Sequence, residues 1–189
     1  MKSTYSILLI SILLFSACSK KDENLAKPRG QVRLTYPKAQ YVASSDSLPY
    51  QFEYNSFSKI TPDQKNHKDW CNIVYPNMKA TLYLSYFPVQ NNLDALTRDA
   101  QTLLDTHLVK ATGTKESRLD DPKRKVYCVI TRLNGETASN IQFHVTDSTK
   151  HFLVGSLYFK TRPQADSLQP AVDYVEKDVR HLLETLNWK

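Results

Sequence analysis

Residues 138–159 read ASNIQFHVTDSTKHFLVGSLYF. Two runs rich in β-branched and aromatic side chains flank the polar quartet Asp147-Ser148-Thr149-Lys150, the pattern of a β-hairpin. In the first arm Ile141, Phe143 and Val145 share one face, and Gln142 and His144 share the other. The second arm, HFLVGSLYF (151–159), is apolar on both faces. A strand buried on both sides reads as a continuous apolar run. This arm is therefore expected near the centre of a sheet, with a layer above and another below.

Working outward, WCNIVYP (70–76) and KATLYLSYF (79–87) are two apolar, aromatic-rich runs separated by Pro76-Asn77-Met78, a second hairpin. VYCVITRL (126–133) reads as a strand, and Asn134-Gly135 after it is a turn signal. PYQFEYN (49–55) reads as a strand with Phe52 and Tyr54 on one face, and QVRLTY (31–36) as a short strand before Pro37. SFSKITPDQKNHKD (56–69) and GTKESRLDDPKRK (113–125) read as polar loops.

Twice the apolar period changes from two to 3.6. Over 91–110, Leu93, Leu96, Ala100, Leu103, Leu104 and Leu108 form one stripe; Asn91 or Asn92 is placed to cap it and Gly113 to stop it. Over 166–189, Leu168, Val172, Val175, Val179, Leu182 and Leu186 form another. There Asp166 and Gln169 have capping-box spacing, and Pro170 is expected in the first turn. Asp173–Lys177 and Glu176–Arg180 can pair outside, and Trp188 is expected to dock the end onto the sheet. The fold class is α+β: a mostly antiparallel twisted sheet carrying two amphipathic helices, in one domain spanning 31–189. The element order (strands, helix, three strands, helix) resembles the Mog1/PsbP-like α/β/α sandwich.

The amino terminus reads differently. The apolar run from Tyr5 to Phe15 spans 11 residues, short of the ~20 that cross a bilayer. After Met1-Lys2 it has the form of a secretory signal. It closes on Phe15-Ser16-Ala17-Cys18, which looks like a bacterial lipobox. That resemblance implies removal of 1–17 as a type II signal peptide and lipidation of the Cys18 sulfur with palmitate-class chains. Two or more chains anchor stably, so no membrane-spanning helix is required. SKKDENLAKPRG (19–30) is polar with Pro28 and Gly30, so 18–30 is a lipidated cysteine and flexible tether. Ser19, in place of the Asp of an enteric inner-membrane retention signal, favours the outer membrane. Its periplasmic face is expected, although Lys21-Asp22-Glu23 resembles a surface-export signal.

Half of the net charge of +6 lies in the removed segment and tether; residues 31–189 hold 20 basic against 17 acidic residues. So small and scattered an excess argues against nucleic acid. No Gly-rich phosphate loop, Gly-x-Ser-x-Gly elbow or His-Glu-x-x-His occurs. No catalytic, metal or cofactor residue is assigned, and the chain is not expected to be an enzyme. Cys71 and Cys128 form a disulfide if their strands are neighbours; otherwise they are small buried hydrophobes. His144 and His151, near the tip of one hairpin, read as surface residues too far out of register for a metal site. Trp70 is either an exposed aromatic or a core residue at a strand start. The tyrosines near strands (Tyr75, Tyr83, Tyr86, Tyr127 and Tyr158) serve core or interface.

Several stretches together resemble the gliding-motility lipoprotein GldD family of Bacteroidota: KPRG (27–30), FEY (52–54), DWCNIVYPNMKATLYLSY (69–86), SNIQFHVTDSTKHFLVGSLYF (139–159) and DSLQPAVDYVEKDVRHLLETLNWK (166–189). The resemblance implies a part of the gliding apparatus associated with type IX secretion. It also implies other gliding and secretion lipoproteins and envelope proteins as partners, and no catalytic motif. A periplasmic binding or chaperone-like lipoprotein is the alternative; it calls for an exposed apolar groove.

Overall fold

The structure, a computed structural model, describes residues 36–63, 67–161 and 165–189. Cys18, segments 1–17 and 18–30, nearly all of the strand expected at 31–36, and the side chain of Asp166 lie outside the described residues.

The elements are β1 (Tyr41–Ala43), β2 (Tyr50–Gln51), β3 (Glu53–Asn55), β4 (Lys59–Pro62), β5 (Cys71–Tyr75), β6 (Ala80–Pro88), α1 (Leu93–Leu108), β7 (Ala111–Asp121), β8 (Val126–Gly135), β9 (Ser139–Thr146), β10 (His151–Phe159), α2 (Ala165–Thr185) and β11 (Asn187–Trp188). Seven strands form one antiparallel sheet in the order β4-β5-β6-β10-β9-β8-β7. The doubly apolar arm of the opening hairpin, β10, is the middle strand. The hairpin at 70–87 also forms, its connection a 3-10 turn over Pro76–Met78.

Each strand of the sheet sends alternate residues to two unlike faces. One face carries Ile73, Leu82, Leu84, Leu153, Leu157, Ile141, Phe143, Val145, Cys128 and Ile130, all buried. Helix α2 lies on it and buries Val172, Val175, Val179, Leu182 and Leu183. Each such aliphatic side chain contributes about 1.5–3 kcal/mol relative to exposure, so this helix is firmly rooted. Gly155 on β10 faces Phe143 in register, and a Cβ there would stand 2.1 Å from that ring. The central strand thus gives up a side chain to seat an aromatic.

Several expectations are corrected. Residues 111–121 form β7, a full edge strand, where a charged loop was expected. A strand bonded on one side needs little apolar surface, and charges on a sheet edge discourage unwanted pairing; Leu119 is its only large apolar side chain. Gly113 does not stop the helix. It lies in β7, where the register slips between Ala111 and Gly113, a usual place for a strand glycine. Lys59–Pro62, inside the other expected loop, is the opposite edge strand, with Pro62 at its last position.

Residues 49–55 are not one strand. Phe52 breaks it: its N–H donates to Ser44 Oγ (3.1 Å) and its carbonyl accepts from Ser44 N (2.8 Å). The two halves then pair apart, β2 with β11 and β3 with β1. Asn134-Gly135 stays in β8 and makes no turn. Gly135 has φ +105°, and a Cβ would come within 2.8 Å of the Thr112 backbone nitrogen. Pro170 sits inside α2, which begins at Ala165. Asp173 pairs with Arg132 of β8 at 2.6 Å, not with Lys177, while Glu176–Arg180 forms at 2.8 Å as expected. Cys71 and Cys128 are free and buried. Three strands separate β5 from β8, roughly 19 Å at the usual strand spacing, so the neighbour condition for a disulfide is not met.

Candidate interaction site

The second sheet face is the more polar of the two, its amide, hydroxyl and imidazole groups mixed with Phe87, Val129, Phe152 and Val154. Gln142 and His144 of β9 point to it as the alternation predicted, alongside Thr131 of β8 and Ser85 of β6. Helix α1 lies over this face. Its stripe of Leu93, Leu96, Ala100, Leu103, Leu104 and Leu108 forms as read from the sequence, yet none of its residues is fully buried. The layer beneath explains why. Apolar helix side chains meet amide, hydroxyl and imidazole groups interspersed with Val129, Phe152 and Val154, so less apolar surface is removed from water on both sides at once than under α2.

Between α1 and strands β8 and β9 lies a cavity of about 30 Å³ lined by Leu104, Glu116, Thr131, Gln142 and His144, among others. Gln142 Nε2 is buried there without a hydrogen-bond partner among the described residues. The His144 ring stacks on Phe152 with centroids 5.7 Å apart, and burial pushes its pKa down.

The other flank of α1 is open and apolar. A cleft of about 280 Å³ is lined by Trp70, Phe87, Phe152 and Val154 from the sheet side and by Leu96, Ala100 and Leu103 from the helix, with Ser85 and Asp99. Trp70 is half-buried: its Nε1 donates to the Tyr86 carbonyl at 2.7 Å, while its ring packs edge-on against Phe87 and stacks on His67. Asp99 is the single charged residue of the lining. Near the helix end, His107 Nε2 and Tyr158 Oη lie 3.1 Å apart, and Tyr158 packs edge-on against Tyr83. Burial lowers the His107 pKa. Leu103 is 37% exposed, Tyr83 41% and Val109 85%.

Charge also distinguishes the two helices. Exposed α1 residues Asp94, Arg98, Asp99 and Asp105 give three acids to one base in a chain of net charge +6. None of these four is ion-paired among the described residues. On α2, by contrast, Arg132 reaches Asp173 and Glu176, and Arg180 holds Glu176 and Ser117. Burial works against the Glu176 carboxylate, but the two guanidiniums hold it below the usual range.

The remaining residues singled out from sequence fall elsewhere. His144 and His151 do not meet; they take opposite faces, and neither is a surface residue. His151 is buried, 2.8 Å from Tyr86 Oη through Nδ1 and stacked on Trp188 at 5.0 Å; burial lowers its pKa. Trp188 thus docks the C terminus as expected, and its Nε1 donates to the Lys125 carbonyl at 3.0 Å. Phe152 lies opposite Thr146, and the loop beyond is held by Asp147. The Asp147 carboxylate accepts N–H groups of Thr149, Lys150 and His151. Burial opposes ionisation, and those N–H groups outweigh it, holding the carboxyl at about 2.

Burial pushes the Cys71 thiol up to about 11 and raises that of Cys128 as well, so neither is a thiolate at neutral pH. Among the described residues no group of three His, Cys, Asp or Glu is placed to hold a metal. No described helix is long and apolar enough to cross a membrane. Of the tyrosines, Tyr75 and Tyr86 are core residues, Tyr127 and Tyr158 are half-buried, and Tyr83 is exposed.

One cluster had no signal in the sequence. Asp178 of α2 is 4% exposed, accepting Tyr41 Oη at 2.9 Å and Asn55 Nδ2 at 3.0 Å; burial raises its pKa. Tyr41 also stacks on His181 at 3.6 Å, Tyr36 stacks on Tyr174, and the Tyr174 hydroxyl donates to the Pro37 carbonyl. These contacts fasten the arm before β1 to α2. Their members are scattered from residue 36 to 181, so only the folded chain brings them together.

The family model described as gliding motility lipoprotein GldD matches residues 21–188, and the chain belongs to that family. The family description ties the chain to gliding motility and to the cell envelope. A comparison with curated proteins finds no match.

Proposed function

We propose that this member of the gliding motility lipoprotein GldD family is a membrane-anchored assembly part of the gliding machinery. It is associated with type IX secretion and acts by holding other envelope proteins, without catalysis. Lipid on Cys18 keeps it at the periplasmic face of the outer membrane, and the face bearing α1 is its contact surface. The observation that carries the contact reading is the apolar cleft beside a helix with no fully buried side chain. Contiguous exposed apolar surface on a soluble domain marks sites of association. The chaperone-like alternative draws on the same cleft, since it requires an apolar groove. The two separate on the client: an assembly part holds one partner, a chaperone many.

The test is Cys18→Ala in cells, followed by fractionation and gliding assays. Release of the protein from the envelope together with loss of gliding is the expected result. Released protein that supports full motility removes the anchor from the mechanism.

A further inference from the structure

Building on the contact reading above, we infer that the α1 cleft receives a segment of another envelope protein that presents one bulky apolar side chain beside a lysine or arginine. Three observations converge on that chemistry. The volume, about 280 Å³, is just below the range of drug-sized ligand pockets and suits a single anchoring side chain. The walls are apolar and aromatic: Trp70, Phe87 and Phe152 face Leu96 and Leu103. The one charge on them is Asp99, an acid with no ion-pair partner among the described residues, on a helix whose other exposed charges are Asp94, Arg98 and Asp105.

An acid at the rim of an apolar cleft selects a cation and repels an anion, because low-dielectric walls strengthen its field. That excludes an anionic lipid head group as the natural occupant. An arginine or lysine places its apolar stem along the cleft wall and its charge at the rim. A second copy of this chain is the less favoured occupant, since like acids of two α1 helices would be drawn together about a two-fold axis.

The test uses the domain from residue 31 onward joined to its native tether, with three synthetic amphipathic helices as probes: Leu/Lys, Leu/Glu and Ala/Lys. Binding is followed by amide chemical shifts. The Leu/Lys helix is expected to perturb Leu96, Ala100, Leu103 and Phe87, and to bind at least about tenfold more tightly than either of the others. Asp99→Lys and Leu103→Asp are each expected to weaken it about tenfold, with unfolding midpoints unchanged because both side chains are exposed. Equal binding of the Leu/Glu helix, shifts confined to other surfaces, or no binding by any probe overturns the inference. So does self-association of the domain that Leu103→Asp abolishes, which assigns the cleft to a second copy.

In cells, loss of gliding in both variants supports the inference. Loss in Leu103→Asp alone overturns the basic partner and leaves the contact face standing. Full gliding in both overturns the contact face as well.

Discussion

The two α-helices among the described residues have similar amphipathic sequences and very different attachments. Both carry a clean 3.6-residue apolar stripe. α2 meets Ile, Leu, Val and Phe side chains, buries its own, and ties its charged flank to β8 through Arg132. α1 lies over a mixed layer, Gln142, His144, Thr131 and Ser85 beside Phe152 and Val154, buries none of its side chains completely, and leaves its charges without ion pairs among the described residues. Amphipathicity states which side of a helix turns inward. What lies across from that side decides how tightly the helix is held.

The largest test of this contrast is a pair of truncations. Leu182→Ala in α2 is expected to cost about 2–5 kcal/mol, as buried leucines do. Leu96→Ala in α1 is expected to cost about 1 kcal/mol or less. Urea unfolding midpoints measure both, and equal losses would break the comparison. Amide exchange adds detail without mutation, since α1 should open at lower free energy than α2.

A smaller effect concerns the hairpin whose register assigns residues to the two faces. Asp147 has a folded pKa held below its ordinary value, so its stabilisation is full above the usual aspartate range near 4. It is lost as the pH falls toward about 2. Asp147→Asn is therefore expected to be less stable than wild type by about 1 kcal/mol at neutral pH. The difference should close at acid pH, and a gap that persists below pH ~2 would show that the carboxylate charge is not what pins the loop.

The smallest effect sharpens the comparison from the weak side. Gln142→Leu replaces a side chain whose buried Nε2 has no hydrogen-bond partner among the described residues with an apolar group beneath α1. Removing such a donor is neutral to stabilising, by up to about 1 kcal/mol. A marked loss of stability would mean that the polar layer supports α1 after all.

Much of this contrast was legible in the sequence. The doubly apolar run 151–159 located the central strand, and the alternation of Ile141, Gln142, Phe143 and His144 assigned both faces. What escaped was edge structure. Residues 111–121 and 59–62 are strands because a neighbour's backbone bonds them, and their polar side chains carry the composition of loops. Phe52 escaped for a related reason: a buried aromatic between two strand residues looks continuous until Ser44 captures its backbone. For the site, the α1 stripe and Trp70 were visible. The cleft was not, because it depends on Phe87 and Phe152 meeting from strands that are far apart in the chain. The Asp178 cluster was invisible for the same reason.

That cluster has a mechanical consequence. The chain enters the domain along an arm fixed by Tyr36, Tyr41 and Tyr174 to the deeply rooted α2, close to the buried Asp178. A pull applied to the chain at Tyr36 is taken up first by α2, the element hardest to extract. Helix α1, on the opposite face of the sheet, takes no part in that cluster, so a strain carried by the arm reaches α2 without passing through α1.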